Sequence, residues 1–114
     1  MPKKFFGPTR QVNSIGLAAP INADFDAIGC DNLSWQVIWT NGSTPVGNIE
    51  LYGSNDGVTF TQITLAGPPA ISGASGNLLV SQVDWPYRIA RLRWARSSGS
   101  CDLQIWTVGK SVAG

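Results

Sequence analysis

The chain has 114 residues, one domain by length, with 43% apolar residues, 13% charged residues and a net charge of +1. That balance argues against partners recognised by charge alone, such as nucleic acid or an anionic membrane, and no run approaches the ~20 apolar residues of a membrane span. There is no histidine, which removes the commonest general base, the commonest metal ligand and every Ser-His or Cys-His nucleophile pair.

Few charges, 13 glycines, 7 prolines and 5 tryptophans, with many Ser, Thr and Asn, describe an all-β protein. A surface this poor in charge suits a protein whose faces are covered by neighbours.

Residues 1–16, MPKKFFGPTRQVNSIG, show no period and are broken by Pro2, Gly7 and Pro8. They read as an extended N-terminal arm whose basic and aromatic residues, Lys3, Lys4, Phe5, Phe6 and Arg10, are candidates for an assembly contact. The opening run is too short for the apolar core of an export signal, so synthesis and retention in a cytoplasm is the expectation.

Residues 17–114 read as a single sandwich domain. Its first strand lies within 17–28, where Ile21, Ala23, Phe25 and Ala27 alternate with Asn22, Asp24 and Asp26. In 33–40, Leu33, Trp35, Val37 and Trp39 share one face, and Ser34, Gln36, Ile38 and Thr40 the other. Asn41-Gly42 reads as a turn before a strand over 46–53, and Asn55-Asp56-Gly57 as a second turn. A strand over 58–65 changes parity near Gln62, which suggests a bulge. Residues 66–77 read as a loop, and 78–85 as a further strand ended by Pro86.

The segment 86–110 reads as a long hairpin turning at Ser98-Gly99. In that register Arg91 faces Trp106 across the strands, and Arg91, Arg93 and Trp106 form one candidate sheet face for a partner. Trp35, Trp39 and Trp94 fall on core faces, while Trp85 and Trp106 are candidates for exposure. Six to eight strands at short intervals without a helical period predict an antiparallel β-sandwich of jelly-roll type.

Chemistry is sparse. Cys30 and Cys101 are free thiols in a reducing cytoplasm, with a bridge within or between chains as the alternatives. Asp24, Asp26 and Asp31 carry oxygens of the kind calcium takes, but their spacing matches no defined loop. No nucleophile constellation is present, so the expectation is a non-enzyme with no metal and no cofactor.

Two resemblances follow. IELYGSNDGVTFTQI (49–63) resembles the S-x-D-G-x-x-aromatic-x-x-I signature of discoidin-like, galactose-binding-type jelly rolls, with Phe60 where Trp is commonest. From Ile21 onward the chain is similar to small structural proteins of tailed-phage genomes, with Arg91, Leu92, Trp94, Ser98, Gly99 and Lys110 matching their closing segment. Cys30, Cys101 and the basic arm depart from that pattern. The resemblance implies a virion structural protein, a capsid decoration or minor head component. Its partners would be other virion proteins, the major capsid protein foremost, and copies of itself. A carbohydrate-binding module, or a glycan-binding domain on a fibre, is the alternative.

Overall fold

The computed structural model describes residues 4–65 and 69–111. Among them are seven strands and no helix: β1 (Lys4–Leu17), β2 (Ile21–Asp26), β3 (Asn32–Ser54), β4 (Thr61–Ile63), β5 (Ala70–Ile71), β6 (Gly76–Gln82) and β7 (Ile89–Ser111). All belong to one antiparallel hydrogen-bonded network.

The frame is the pair β3 and β7, each 23 residues long and paired from Asn32↔Lys110 to Ser54↔Ile89. A straight strand of that length would run ~75 Å, whereas the longest dimension of the molecule is 45 Å. The pair therefore folds over. The fold lies where the register breaks, between Thr40 and Gly47.

Folding the ribbon makes two layers of a sandwich. The first has the order β1-β7-β3-β6, using the C-terminal half of β7 and the N-terminal half of β3. The second has β2-β7-β3, with the short strands β4 and β5 on the far side of β3. The buried parity of β7 changes across the fold: Ala90, Leu92 and Trp94 point inward before it, and Cys101, Leu103 and Ile105 after it. With Leu33, Trp35, Val37, Trp39, Ile49 and Leu51 they form a single core.

The expected hairpin at Ser98-Gly99 is not formed. β7 continues through these residues and pairs with β3 on both sides of them. Gly99 has φ 74°, and a Cβ there would lie 2.0 Å from the Thr44 carbonyl oxygen. The glycine lets β7 bend against β3, and the Arg96 Nε donates to the Gly99 carbonyl at 2.7 Å to hold the bend. Asn41-Gly42 likewise bends β3 rather than reversing it, with Asn41 at φ 51°. Residues that favour positive φ serve a bulge as well as a hairpin.

Other boundaries shift. The strand expected over 58–65 is paired only at Thr61–Ile63, and that expected over 78–85 runs from Gly76 to Gln82. The described part of the expected arm is extended, but it is not detached from the domain. From Lys4 it is an edge strand of the first layer, in register with β7 from Lys4↔Ser111 to Leu17↔Cys101. Gln11 fastens it to both layers: its Oε1 accepts from the buried Thr107 hydroxyl, and its Nε2 donates to the Asp24 carbonyl of β2.

Candidate binding face

Strand alternation gives each layer an outer face, and the two differ. On the second layer, Arg91 lies between Asp24 of β2 and Tyr52 of β3. Its Nε and Nη2 meet the two carboxylate oxygens of Asp24 at 2.7 and 3.0 Å, a bidentate pair. The guanidinium also sits 3.7 Å from the centroid of the Phe60 ring. The hydrogen bonds to Asp24 raise the Arg91 pKa further. Arg93 donates to the Asn22 side chain at 2.9 Å, and the Tyr52 hydroxyl donates to Glu50 at 2.9 Å. Burial, followed by the bond to Glu50, raises the Tyr52 pKa. The polar groups of this face bond to one another.

The outer face of the first layer has a different character. Pro8 of β1, Gln104, Trp106 and Val108 of β7, Ser34, Gln36 and Ile38 of β3, and Leu79 of β6 line an open depression of about 520 Å³. No charged side chain is among them. Trp106 is half-buried, its Nε1 donating to Gln104 at 3.1 Å, and the Arg10 guanidinium lies 5.7 Å from its ring centroid. Aromatic, aliphatic and amide groups side by side make a surface that offers apolar contact and neutral hydrogen bonds.

The structure separates the residues expected on one sheet face. Arg91 and Arg93 belong to the second layer and Trp106 to the first, because the bend at Gly99 puts them in different layers. The stack expected between Arg91 and Trp106 is replaced by two others, Arg91 with Phe60 and Arg10 with Trp106. Of the arm residues, Arg10 reaches this first face, Phe6 packs against the core, Lys4 and Phe5 pair through backbone at the end of β1, and Lys3 lies outside the described residues. Trp85 is buried rather than exposed, set edge-on to Trp35 at 6.4 Å and to Tyr87 at 5.1 Å.

Cys30 and Cys101 are buried free thiols, and burial raises both their pKa values. Cys30 packs on Gly109, where a Cβ would lie 2.5 Å from its sulfur. The unbroken run of β7 from Cys101 to Gly109 spans ~26 Å, so an intrachain bridge is out of reach. Among the described residues, no three His, Cys, Asp or Glu side chains cluster as metal ligands. Asp24 already holds Arg91, and Asp26 accepts from the Ile28 amide at 3.1 Å.

Alternation had placed Ser34, Gln36 and Ile38 opposite the core, and there they stand. Pro8 and Leu79 had no such signal, because only the pairing of β1 and β6 onto the central ribbon brings them to this face.

No family model matches the chain, and no curated protein sequence matches it. Solved structures do match in fold. A structure of infectious bursal disease virus, Gx strain, superposes with a TM-score of 0.58 at 11% identity, covering 100% of this chain and 34% of that one. The SPBc2 prophage-derived protein YomS superposes at 0.54 and 12% identity, covering 96% of this chain and 94% of that one. A carbohydrate-binding module specific for non-crystalline cellulose, CBM28, superposes at 0.50 and 11% identity, covering 82% and 66%. This chain thus spans about a third of the viral chain and nearly all of the prophage protein. The architecture is shared with viral and phage proteins and with sugar-binding modules.

Proposed function

We propose that this chain is a non-enzymatic component of a virus particle, seated on the capsid shell as a decoration or minor head protein and acting by protein–protein contact. The observation that carries the reading is the outer depression beside Trp106, lined by no charged side chain, set on a sandwich that a prophage-derived protein matches nearly end to end. Such a face loses little on desolvation and gives a central aromatic anchor, the usual basis of a protein contact. Repeated over many copies in a shell, weak contacts add through avidity.

A glycan-binding role is the second reading. It is favoured by a half-buried Trp106 beside Gln36 and Gln104 and by the fold shared with a cellulose-binding module. Co-sedimentation of the native chain with virus particles from the genome that encodes it, with and without soluble oligosaccharides, separates the two. Retention that oligosaccharides do not displace supports the virion reading. Displacement, or quenching of tryptophan fluorescence by oligosaccharide alone, favours the glycan reading. Failure to bind particles overturns the first.

A further inference from the structure

The edges of the sandwich are guarded unequally. A strand edge exposes unpaired N–H and C=O groups, and proteins protect it with charge, proline, bulges or brevity. β1 carries Pro8 and Arg10 and breaks register at Phe6/Thr9, Arg10/Val12 and Ser14/Leu17. β2 carries Asp24 and Asp26. β4 and β5 have three and two residues.

β6 has none of these protections. Its sequence is Gly-Asn-Leu-Leu-Val-Ser-Gln, with no charge and no proline. It pairs with β3 without a break from Leu33↔Gln82 to Trp39↔Gly76, and among the described residues no strand takes its other side. Leu79, at its midpoint, is 67% exposed.

We propose that the free edge of β6 pairs antiparallel with β6 of a second copy of this chain, about a two-fold axis at Leu79, so that the first layers of two copies become one sheet. The strand is self-complementary under that operation. Leu79 meets Leu79 on the outer face, Leu78 meets Val80 on the inner face, and Asn77 meets Ser81. Apolar pairs with apolar and polar with polar, and no like charges come opposite each other. The other long edges are less suited, since β2 carries Asp24 and Asp26 and its Asp24 carbonyl already accepts from Gln11, and β1 is kinked by its bulges. The pairing covers Leu79, which also lines the depression, and so sets the two depressions side by side. Seven residues a side bury less than the ~1,600 Å² of a standard interface, so the dimer is concentration-dependent. The inference holds whichever partner the depression takes.

Sedimentation equilibrium on the full chain over a concentration series tests it, with Leu79→Lys, Leu79→Glu and an equimolar mixture of the two. The side chain at 79 points to solvent, so either variant keeps the fold, and circular dichroism verifies this. The expected result is a dimer for the parent chain and dissociation constants raised roughly tenfold or more for each variant alone, where like charges oppose. In the mixture, opposite charges meet at the axis and the dimer returns. A parent chain that stays monomeric throughout, or variants that dimerise as the parent does, overturns the proposal. A mixture no tighter than its components would overturn the axis at Leu79.

Discussion

The outer faces of the two layers are made from the same two strands, yet one is closed upon itself and the other is open. On the second layer Arg91, Asp24, Phe60, Arg93 and Asn22 use their charge and hydrogen-bonding capacity on each other. On the first, Trp106, Ile38, Leu79 and Val108 border a depression lined by no charged side chain, with Arg10 over the Trp106 ring. The contrast teaches that a row of arginines on a strand is poor grounds for an interface until their partners are known. Charges already paired gain little from a new partner, whereas half-covered aromatic and aliphatic groups gain by burial.

The difference depends on the bend that turns the two halves of β7 into different layers, and the largest effect is expected there. Gly99→Ala places a side chain at φ 74° and 2.0 Å from the Thr44 carbonyl oxygen. The backbone conformation alone costs roughly 1–3 kcal/mol, and the contact adds to it. Thermal unfolding should show a drop of at least ~10 °C or loss of the cooperative transition. An unchanged midpoint would mean that the ribbon does not bend at Gly99.

Next in size is the split between the faces. Trp106→Ala should weaken particle binding by about 2 kcal/mol, roughly 30-fold, as loss of a central aromatic anchor does. It should change stability far less than a core substitution. Arg91→Ala should do the reverse, leaving binding intact and lowering stability by about 1 kcal/mol through the loss of the Asp24 pair and the Phe60 stack. Denaturant unfolding alongside co-sedimentation reads both. A binding defect in the Arg91 variant would reassign the interface to the second layer.

Gln11→Ala tests how β1 is tied down. It leaves the buried Thr107 hydroxyl without its acceptor, for a cost of ~1–3 kcal/mol. Urea denaturation should show this as a lower midpoint at an unchanged slope. An unchanged midpoint would mean that Gln11 does not hold β1 to the layers.

The smallest effect is an acid one. Asp56 accepts from the amides of Val58 and Thr59, each at 2.8 Å, and from Ser54, which lowers its pKa from 3.8 to about 2. Its folded pKa lies below the unfolded one. The contribution is therefore complete above pH ~4 and is lost as the pH falls towards 2. Asp56→Asn should flatten that part of the stability–pH curve. A curve identical to that of the parent chain would show that the carboxylate contributes nothing to the turn.

Much of the fold was legible because alternation is a local signal. Leu33, Trp35, Val37 and Trp39 on one side, and Leu92 and Trp94 on another strand, are core residues as their spacing implies. The strand route was less legible. Asn41-Gly42 and Ser98-Gly99 are residues that favour positive φ, and neighbouring residues alone do not tell a reversal from a bend. That depends on whether the strand beyond pairs back or runs on along β3. The misplaced hairpin carried the site with it. It set Arg91 opposite Trp106, when their ring and cation partners, Phe60 and Arg10, come from distant strands. Of the binding face, Ser34, Gln36 and Ile38 could be read from parity; Pro8 and Leu79 depend on long-range pairing.

Which outer face meets the particle is read most directly by hydroxyl-radical footprinting of the native chain, free and bound to virus particles. Protection of Trp106, Ile38 and Val108 is expected on binding, with Arg91, Tyr52 and Phe60 labelled equally in both states. Protection of the second set instead, or of neither, would contradict it.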